Sequence, residues 1–249
     1  VIYSFLGWCV EVIYHAVTWG EVTNRGFLNG PICPVYGIGV GVVVQFLTPV
    51  ENNLVLLYIS STILVTVIEG ITGFLLEKIF HNKWWDYSEQ PLNIGGYVCV
   101  LFSLIWGVFC VLIVKIIHPL IYKVLTMIPL VLGIVVMACL AVGLLADLYV
   151  TASGILKMNR RLEAMEKIAA ELKELSDKVG ENIYENVMEG MEFREEKKAR
   201  IEELKAKYEE MAENRTKVGE RLVKAFPKMQ VGQHKEIFEE LRERVRRSK

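Results

Sequence analysis

Ionisable residues stand inside apolar stretches of this sequence, where a charge is costly. Glu11 and His15 are four residues apart, so they share one face if their segment is a helix. Glu69 lies near the middle of a long apolar run. A charged side chain within a membrane faces an interior and has a partner. These residues predict a polar pocket that binds a cationic group or relays protons, although an interhelical hydrogen bond is the structural alternative for Glu69.

A loop rich in glycine and proline follows the first of these apolar stretches. Residues 24–37 read NRGFLNGPICPVYG and contain Arg25, the only basic residue before position 78. A guanidinium suits a partly buried carboxylate, so we expect Arg25 to pair with Glu11, Glu69 or Asp86. The sequence thus predicts an ion pair in the pocket.

A second polar loop, residues 84–93, reads WWDYSEQPLN. Its aromatic residues, Trp84, Trp85 and Tyr87, also fit a belt at the membrane interface. That alternative leaves Asp86 unexplained. Cys33 is a further candidate because it lies among Gly and Pro, whereas the other four cysteines lie in apolar runs and fit small buried fillers.

The elements that must position these side chains are long apolar segments. A spanning helix needs roughly 20 mostly apolar residues. Five segments qualify, and in lipid they must be helical. They are 1–19, 35–48, 54–79, 97–117 and 127–150. We therefore predict an all-α fold: a polytopic membrane bundle of about five transmembrane helices over residues 1–156, and a charged, coiled-coil-like helical tail over residues 157–249. Position 1 is Val rather than Met, so we expect residues to be missing, and no secretory signal is predicted.

Charge separates the two parts. The first 156 residues hold five of the 28 basic side chains, namely Arg25, Lys78, Lys83, Lys115 and Lys123. Neither part has the basic excess of a nucleic-acid binder. Basic residues near the helix ends favour a cell-membrane protein whose tail and loops at 20–34 and 80–96 are cytoplasmic.

The tail has heptad spacing. Met165, Ile168, Leu172, Leu175 and Val179 step by three and four, and Ile183, Val187 and Met191 continue by fours. Ile201, Leu204, Tyr208 and Met211 form a second seam. The tail is either one rod or a helical hairpin that ends at Pro227, and a short amphipathic helix follows over 235–245. The heptad spacing predicts that the tail forms a homodimer or binds a partner helix.

The phrases FLGWCVEVIY, NRGFLNGPICPVYGIG and WWDYS resemble the bacterial family named putative ABC-transporter type IV, the CmpB-like membrane proteins. The resemblance covers roughly residues 1–125, and RLVKAFPKMQ (221–230) is similar to the tail of longer members. It implies a permease-like membrane component and includes Asn24 and Tyr36 among the motif positions. The full candidate set for a pocket or ligand site is Glu11, His15, Asn24, Arg25, Cys33, Tyr36, Glu69, Trp85, Asp86 and Tyr87.

Three functions follow. The first is a permease-like transport component, whose ATPase is a separate subunit because the chain has no GxxxxGK[ST] phosphate loop. The second is a membrane-embedded lipid- or cofactor-binding protein or enzyme. The sequence has no HExxH, no GxSxG and no metal-spaced Cys/His set, so no catalytic residue, metal ligand or cofactor is assigned. The third is a membrane scaffold or signal transducer that acts through its coiled-coil tail.

Overall fold

The computed structural model describes residues 1–181, 190–214, 216–232 and 234–247. Over these residues the chain is built mainly of α-helices. They are α1 Ile2–Trp19, α2 Pro34–Leu47, α3 Leu54–Phe80, α4 Val100–Leu112, α5 His118–Leu125, α6 Leu130–Glu181, α7 Gly190–Glu213, α8 Lys217–Ala225 and α9 Lys235–Arg247. A 3₁₀ turn, Thr48–Val50, follows α2, and a π-helical turn, Ile113–Ile117, joins α4 to α5.

Four two-residue strands complete the fold among the described residues: β1 Asn82–Lys83, β2 Asn93–Ile94, β3 Val98–Cys99 and β4 Gln230–Val231. β2 pairs antiparallel with β3, and β1 pairs antiparallel with β4. Gly95 and Gly96 both have positive φ, as the tight turn between β2 and β3 requires. This hairpin delays the fourth predicted helix, which begins at Val100 rather than at Tyr97.

Three helices in the described part of the chain are long and apolar enough to cross a membrane: Leu54–Phe80, Val100–Leu125 and the Leu130–Val179 stretch. The apolar helix Pro34–Val50 is shorter, and α1 is outside this set. The all-α membrane fold is therefore confirmed, while the count of five spans stays a prediction. Many large apolar side chains on these helices are exposed, among them Val67, Val108 and Val131, as lipid-facing surfaces require.

The chain forms two compact units. The first, called the bundle unit, comprises Val1–Ala152 and Arg221–Gly232; the second, the tail unit, comprises Ser153–Glu220 and Gln233–Lys249. The predicted boundary at residues 156 and 157 falls inside α6. Residues 221–232 belong to the predicted tail, but they fold with the bundle unit.

In the bundle unit, α1 packs against α2, α2 against α3, and α3 against α4. Val43, Leu57, Cys110 and Val114 form a buried cluster where α2, α3 and the α4 region meet. At one end of the unit, the Tyr3 hydroxyl lies 2.8 Å from His118 Nδ1. The start of α1 and the start of α5 are therefore at the same end, and the loops after α1 and α3 are at the other.

In the tail unit, the second half of α6 runs antiparallel to α7. Arg200 pairs with Glu171 at 3.1 Å, and Arg161 donates to the Asn214 carbonyl at 2.6 Å. This is the pairing of a helical hairpin, the second of the two arrangements that the sequence allowed. Met165 and Ile168 of the predicted seam are buried. Ile183, Val187 and the side chain of Met191 lie outside the described residues, and the coiled-coil assignment stays a prediction.

Candidate functional site

Glu11 lies where α1, the first polar loop and α2 meet. Its Oε1 accepts a hydrogen bond from the Tyr36 hydroxyl at 2.5 Å, and its Oε2 lies 3.4 Å from Arg25 Nη2. Gly7 permits this approach, because a Cβ at that position would overlap the Tyr36 ring. Arg25 therefore contacts one of the three carboxylates anticipated from the sequence, through one nitrogen rather than through a bidentate fork.

Asn24 shapes the loop that carries Arg25. Its Oδ1 accepts from the Gly26 amide at 2.9 Å and from Trp8 Nε1 at 2.7 Å. Its Nδ2 donates to the Asn29 carbonyl at 2.7 Å. An asparagine bonded to the backbone two residues ahead forms a turn of its own, so Asn24 acts as a positioning residue for this loop.

Asp147 of α6 binds the same loop from another side. Its Oδ1 accepts from the Asn29 amide at 3.0 Å and from Asn29 Nδ2 at 2.8 Å, and its Oδ2 accepts from the Gly30 amide at 2.7 Å. The Thr151 hydroxyl adds a contact at 3.3 Å. Asp147 is not among the ten candidates, although it is an isolated carboxylate in the apolar run 127–150.

Asp86 organises the second polar loop. Its Oδ1 accepts from Lys83 Nζ at 2.9 Å, from the Ser88 hydroxyl at 2.6 Å and from the Ser88 amide at 3.0 Å. Partial burial alone would raise the pKa of Asp86, but the bonds from Ser88 and Lys83 and the charge of Lys83 outweigh it and lower the pKa to about 2. Its partner is thus Lys83 of the same loop.

Tyr87 connects this loop to α3. Its hydroxyl donates to Glu69 Oε1 at 3.3 Å, and its ring stacks on Phe102 with centroids 5.1 Å apart. Trp85 donates from Nε1 to the Tyr97 carbonyl at 2.8 Å rather than to Glu69. Burial raises the pKa of Tyr87, and the charges of Glu69 and Glu11 add to the effect. Tyr87 is therefore influenced by the charges of both Glu69 and Glu11.

Two other candidates have mainly structural surroundings. His15 is buried, its Nδ1 lies 2.9 Å from the Glu21 carbonyl, and its ring stacks on Trp19. Cys33 is buried, and its amide donates to the Ser4 carbonyl at 3.0 Å. Burial, with a contribution from the charge of Glu11, raises the pKa of the Cys33 thiol to about 12. Cys33 is therefore a neutral neighbour of the Glu11–Arg25 pair.

A distant segment of the chain also contacts both loops. Arg221 donates to the carbonyls of Gly26 at 2.7 Å and Phe27 at 2.9 Å, and to Asn29 Oδ1 at 3.1 Å. Arg25 Nη1 donates to the Ala225 carbonyl. The sequence signal for this segment is the phrase RLVKAFPKMQ, and its residues lie in the predicted helical tail.

The second loop contacts that segment too. The Phe226 ring meets Trp84 edge-on with centroids 5.1 Å apart, and Gln230 Nε2 donates to Asp86 Oδ2 at 3.1 Å. β1 and β4 pair Lys83 with Gln230. Residues about 140 positions apart in sequence are therefore neighbours at this end of the bundle unit.

Comparison with protein families shows the family of the chain. The family model described as "Putative ABC-transporter type IV" matches residues 1–152. The chain belongs to that family. No curated protein and no solved structure matches the chain. The family match contains all ten candidate residues and ends where the first part of the bundle unit ends.

Membership in the ABC-transporter type IV family indicates a membrane protein related to transport. The described residues contain no cluster of three or more His, Cys, Asp or Glu side chains that could hold a metal ion. Segment 221–232 lies outside the family match. The matched region contains two carboxylate–tyrosine pairs, Glu11–Tyr36 and Glu69–Tyr87, whose members come from separate helices and loops.

Proposed function

We propose that this family member is a permease-like component of a membrane transport system with a polar intramembrane site. The observation that carries the proposal is the pair of carboxylates on different helices, Glu11 on α1 and Glu69 on α3, each bonded to a tyrosine hydroxyl. Ionisable residues inside a bilayer mark substrate, ion or proton pathways. Two carboxylates on different helices, each bonded to a tyrosine hydroxyl, fit a pathway better than a single structural hydrogen bond does.

The charges of the two pairs differ. Arg25 neutralises Glu11 at 3.4 Å. Among the described residues, Glu69 accepts a hydrogen bond from Tyr87 and forms no ion pair. A carboxylate has about four lone-pair positions for hydrogen bonds. Glu69 therefore has spare capacity for a cationic group or a proton, and it is the residue on which we centre the transport site.

We further propose five membrane spans: α1, α2, α3, α4 with α5, and the apolar half of α6. The loops 20–34 and 80–96 and the C-terminal tail would then be cytoplasmic. This orientation is supported by the excess of Lys and Arg around those loops and after the fifth span. The chain has no GxxxxGK[ST] motif, so an ATP-driven system would take its ATPase from a separate subunit that binds this cytoplasmic side.

Efflux from proteoliposomes tests the proposal. Vesicles that contain the full chain are loaded with a defined mixture of small amines, amino acids, sugars and inorganic phosphate, and mass spectrometry follows the release of each class. We expect amines to leave faster than from protein-free vesicles. Glu69→Gln keeps the side-chain shape and should slow this release by roughly tenfold, equivalent to about 1.4 kcal/mol of lost interaction.

Glu51→Gln is the matched control, because it removes a carboxylate from the short connection between α2 and α3. Its release rates should equal those of the wild type. Release of no class above the protein-free rate would contradict a permease role. An unchanged rate in Glu69→Gln would contradict the assignment of the site.

A further inference from the structure

Segment Arg221–Gly232 is attached to both polar loops, although it lies outside the family match. Its first anchor is Arg221, whose three nitrogens contact Gly26, Phe27 and Asn29 at 2.7–3.1 Å. Two of these acceptors are backbone carbonyls, and a planar guanidinium fork suits such a fixed set of acceptors. Asp147 binds Asn29 from α6, so the first loop is held between a carboxylate and a guanidinium.

The second anchor is aromatic and reaches the proposed site. The Phe226 ring lies between two partners: the Arg25 guanidinium, 5.4 Å from its centroid, and the Trp84 ring, 5.1 Å away. Arg25 also donates to the Ala225 carbonyl and contacts Glu11. Arg25 is therefore shared, because one nitrogen contacts the site carboxylate and another binds the segment.

The third anchor is the two-residue pairing of β4 with β1. Val231 faces Asn82, Gln230 faces Lys83, and the Gly232 amide donates to the His81 carbonyl at 3.2 Å. A two-stranded pairing is marginally stable by itself. The segment is therefore held by these three anchors, by the bonds of Gln230 and of the Ala225 carbonyl, and by the burial of its apolar side chains Leu222, Met229 and Val231.

We infer that segment Arg221–Gly232 is a clasp that closes the end of the bundle unit over the Glu11–Arg25 pair and gates access to the site. The gating role rests on the proposed function, whereas the attachment of the clasp does not. In the closed state, the segment holds Arg25 at Ala225 and Phe226, next to Glu11. Opening releases Arg25 and exposes Glu11. Both ends of the clasp continue directly into the tail unit. A conformational change in the tail unit can therefore be transmitted to the clasp through the chain.

Hydrogen–deuterium exchange of the full chain in detergent tests the attachment without reference to transport. Arg221→Ala removes the first anchor, and exchange in peptides that cover 221–232 should become roughly tenfold faster or more, since charged hydrogen bonds are lost. Lys224→Ala is the matched control, because Lys224 is an exposed cation in the same segment. It should leave exchange unchanged. Equal exchange in wild type and Arg221→Ala would overturn the clasp.

A reversible lock tests gating. The double variant Lys83→Cys/Gln230→Cys, with the five native cysteines replaced by alanine, places two thiols at facing positions of β1 and β4. Facing residues of an antiparallel pair are within disulfide range. Release from proteoliposomes should stop on oxidation and return on reduction, and Arg221→Ala should release faster than wild type.

The outcomes separate the two proposals. If wild-type protein releases no solute but exchange in 221–232 responds to Arg221→Ala, the proposed function fails and the attachment stands. If the wild type does release solute and neither the oxidised lock nor Arg221→Ala changes the rate, gating is overturned while the transport proposal stands.

Discussion

Asp147→Asn is the substitution that most directly tests how the first polar loop is held. The carboxylate accepts from two backbone amides, those of Asn29 and Gly30, and from Asn29 Nδ2 and the Thr151 hydroxyl. Asparagine preserves the size of the side chain but replaces one oxygen with a donor. Either orientation of the new amide therefore places an NH₂ group against an N–H group that donates to Asp147 in the wild type.

The less costly orientation turns the NH₂ group towards Gly30. It keeps the acceptor opposite Asn29 and loses the 2.7 Å bond from the Gly30 amide. A hydrogen bond to a charged group contributes about 1.5–3 kcal/mol, and the bonds that remain become neutral. We expect the free energy of unfolding to fall by about 3 kcal/mol, near the upper part of that range.

Reversible unfolding in mixed micelles, followed by tryptophan fluorescence, measures this loss. Thr151→Val removes only the hydroxyl contacts and should cost about 1 kcal/mol. Glu51→Gln is the charge control, since the described residues offer Glu51 no side-chain partner, and its effect should stay within about 0.5 kcal/mol. If Asp147→Asn unfolds with the same free energy as Glu51→Gln, the loop does not depend on this carboxylate and the reasoning is refuted.

Three further substitutions test single features. The pKa of Asp86 is about 2, so its ionised form stabilises the fold above about pH 4, and this stability is lost as the pH falls towards 2. Asp86→Asn should remove that pH dependence of the unfolding midpoint. An unchanged pH profile in the variant would contradict this prediction. Gly7→Ala should lower the free energy of unfolding by about 1–3 kcal/mol, because the new methyl group overlaps Tyr36. Gly143 faces open space, so Gly143→Ala should leave the stability unchanged. Equal thermal stabilities of the two variants would count against the close approach of α1 and α2. Tyr36→Phe removes the 2.5 Å donor to Glu11 and should cost about 1.5–3 kcal/mol in the same unfolding measurement, a result contradicted by wild-type stability.

The helices could be predicted because apolar length is a property of the sequence alone. Leu54–Phe80 begins and ends within one residue of its prediction, since an asparagine cap at Asn53 and the end of the apolar run define its limits. The Arg25–Glu11 contact was also predictable, since a single cation before position 78 has few carboxylates to choose from. The Gly95–Gly96 turn was not predicted, although two adjacent glycines before the apolar residues 97–102 are a signal in the sequence.

The contacts of Asp147 and Arg221 could not be predicted in the same way. Asp147 lies 117 residues from Gly30, and Arg221 lies 195 from Gly26. In both contacts one partner is a backbone amide or carbonyl, which every residue carries. The Asn29 side chain also contacts both groups, but an asparagine does not by itself identify a distant carboxylate or guanidinium as its partner. Only the packing of α6 and the path of the chain through α8 bring these groups together.

These long-range contacts constrain topology more strongly than the charge pattern does. Groups on opposite faces of a bilayer are separated by about 30 Å of hydrocarbon and cannot bond. The first loop contacts Asp147 and Arg221, and the second loop pairs with β4, so both loops, the end of the fifth apolar run and segment 221–232 share one side of any membrane that the bundle unit spans. Tyr3 and His118 meet at the opposite end. If α3 crosses the membrane, α2 must cross as well for the two loops to lie on the same side. If Tyr3 and the first loop lie on opposite sides, α1 must also cross, although it contains Glu11. The contacts therefore support the proposed crossings of the short α2 and of α1.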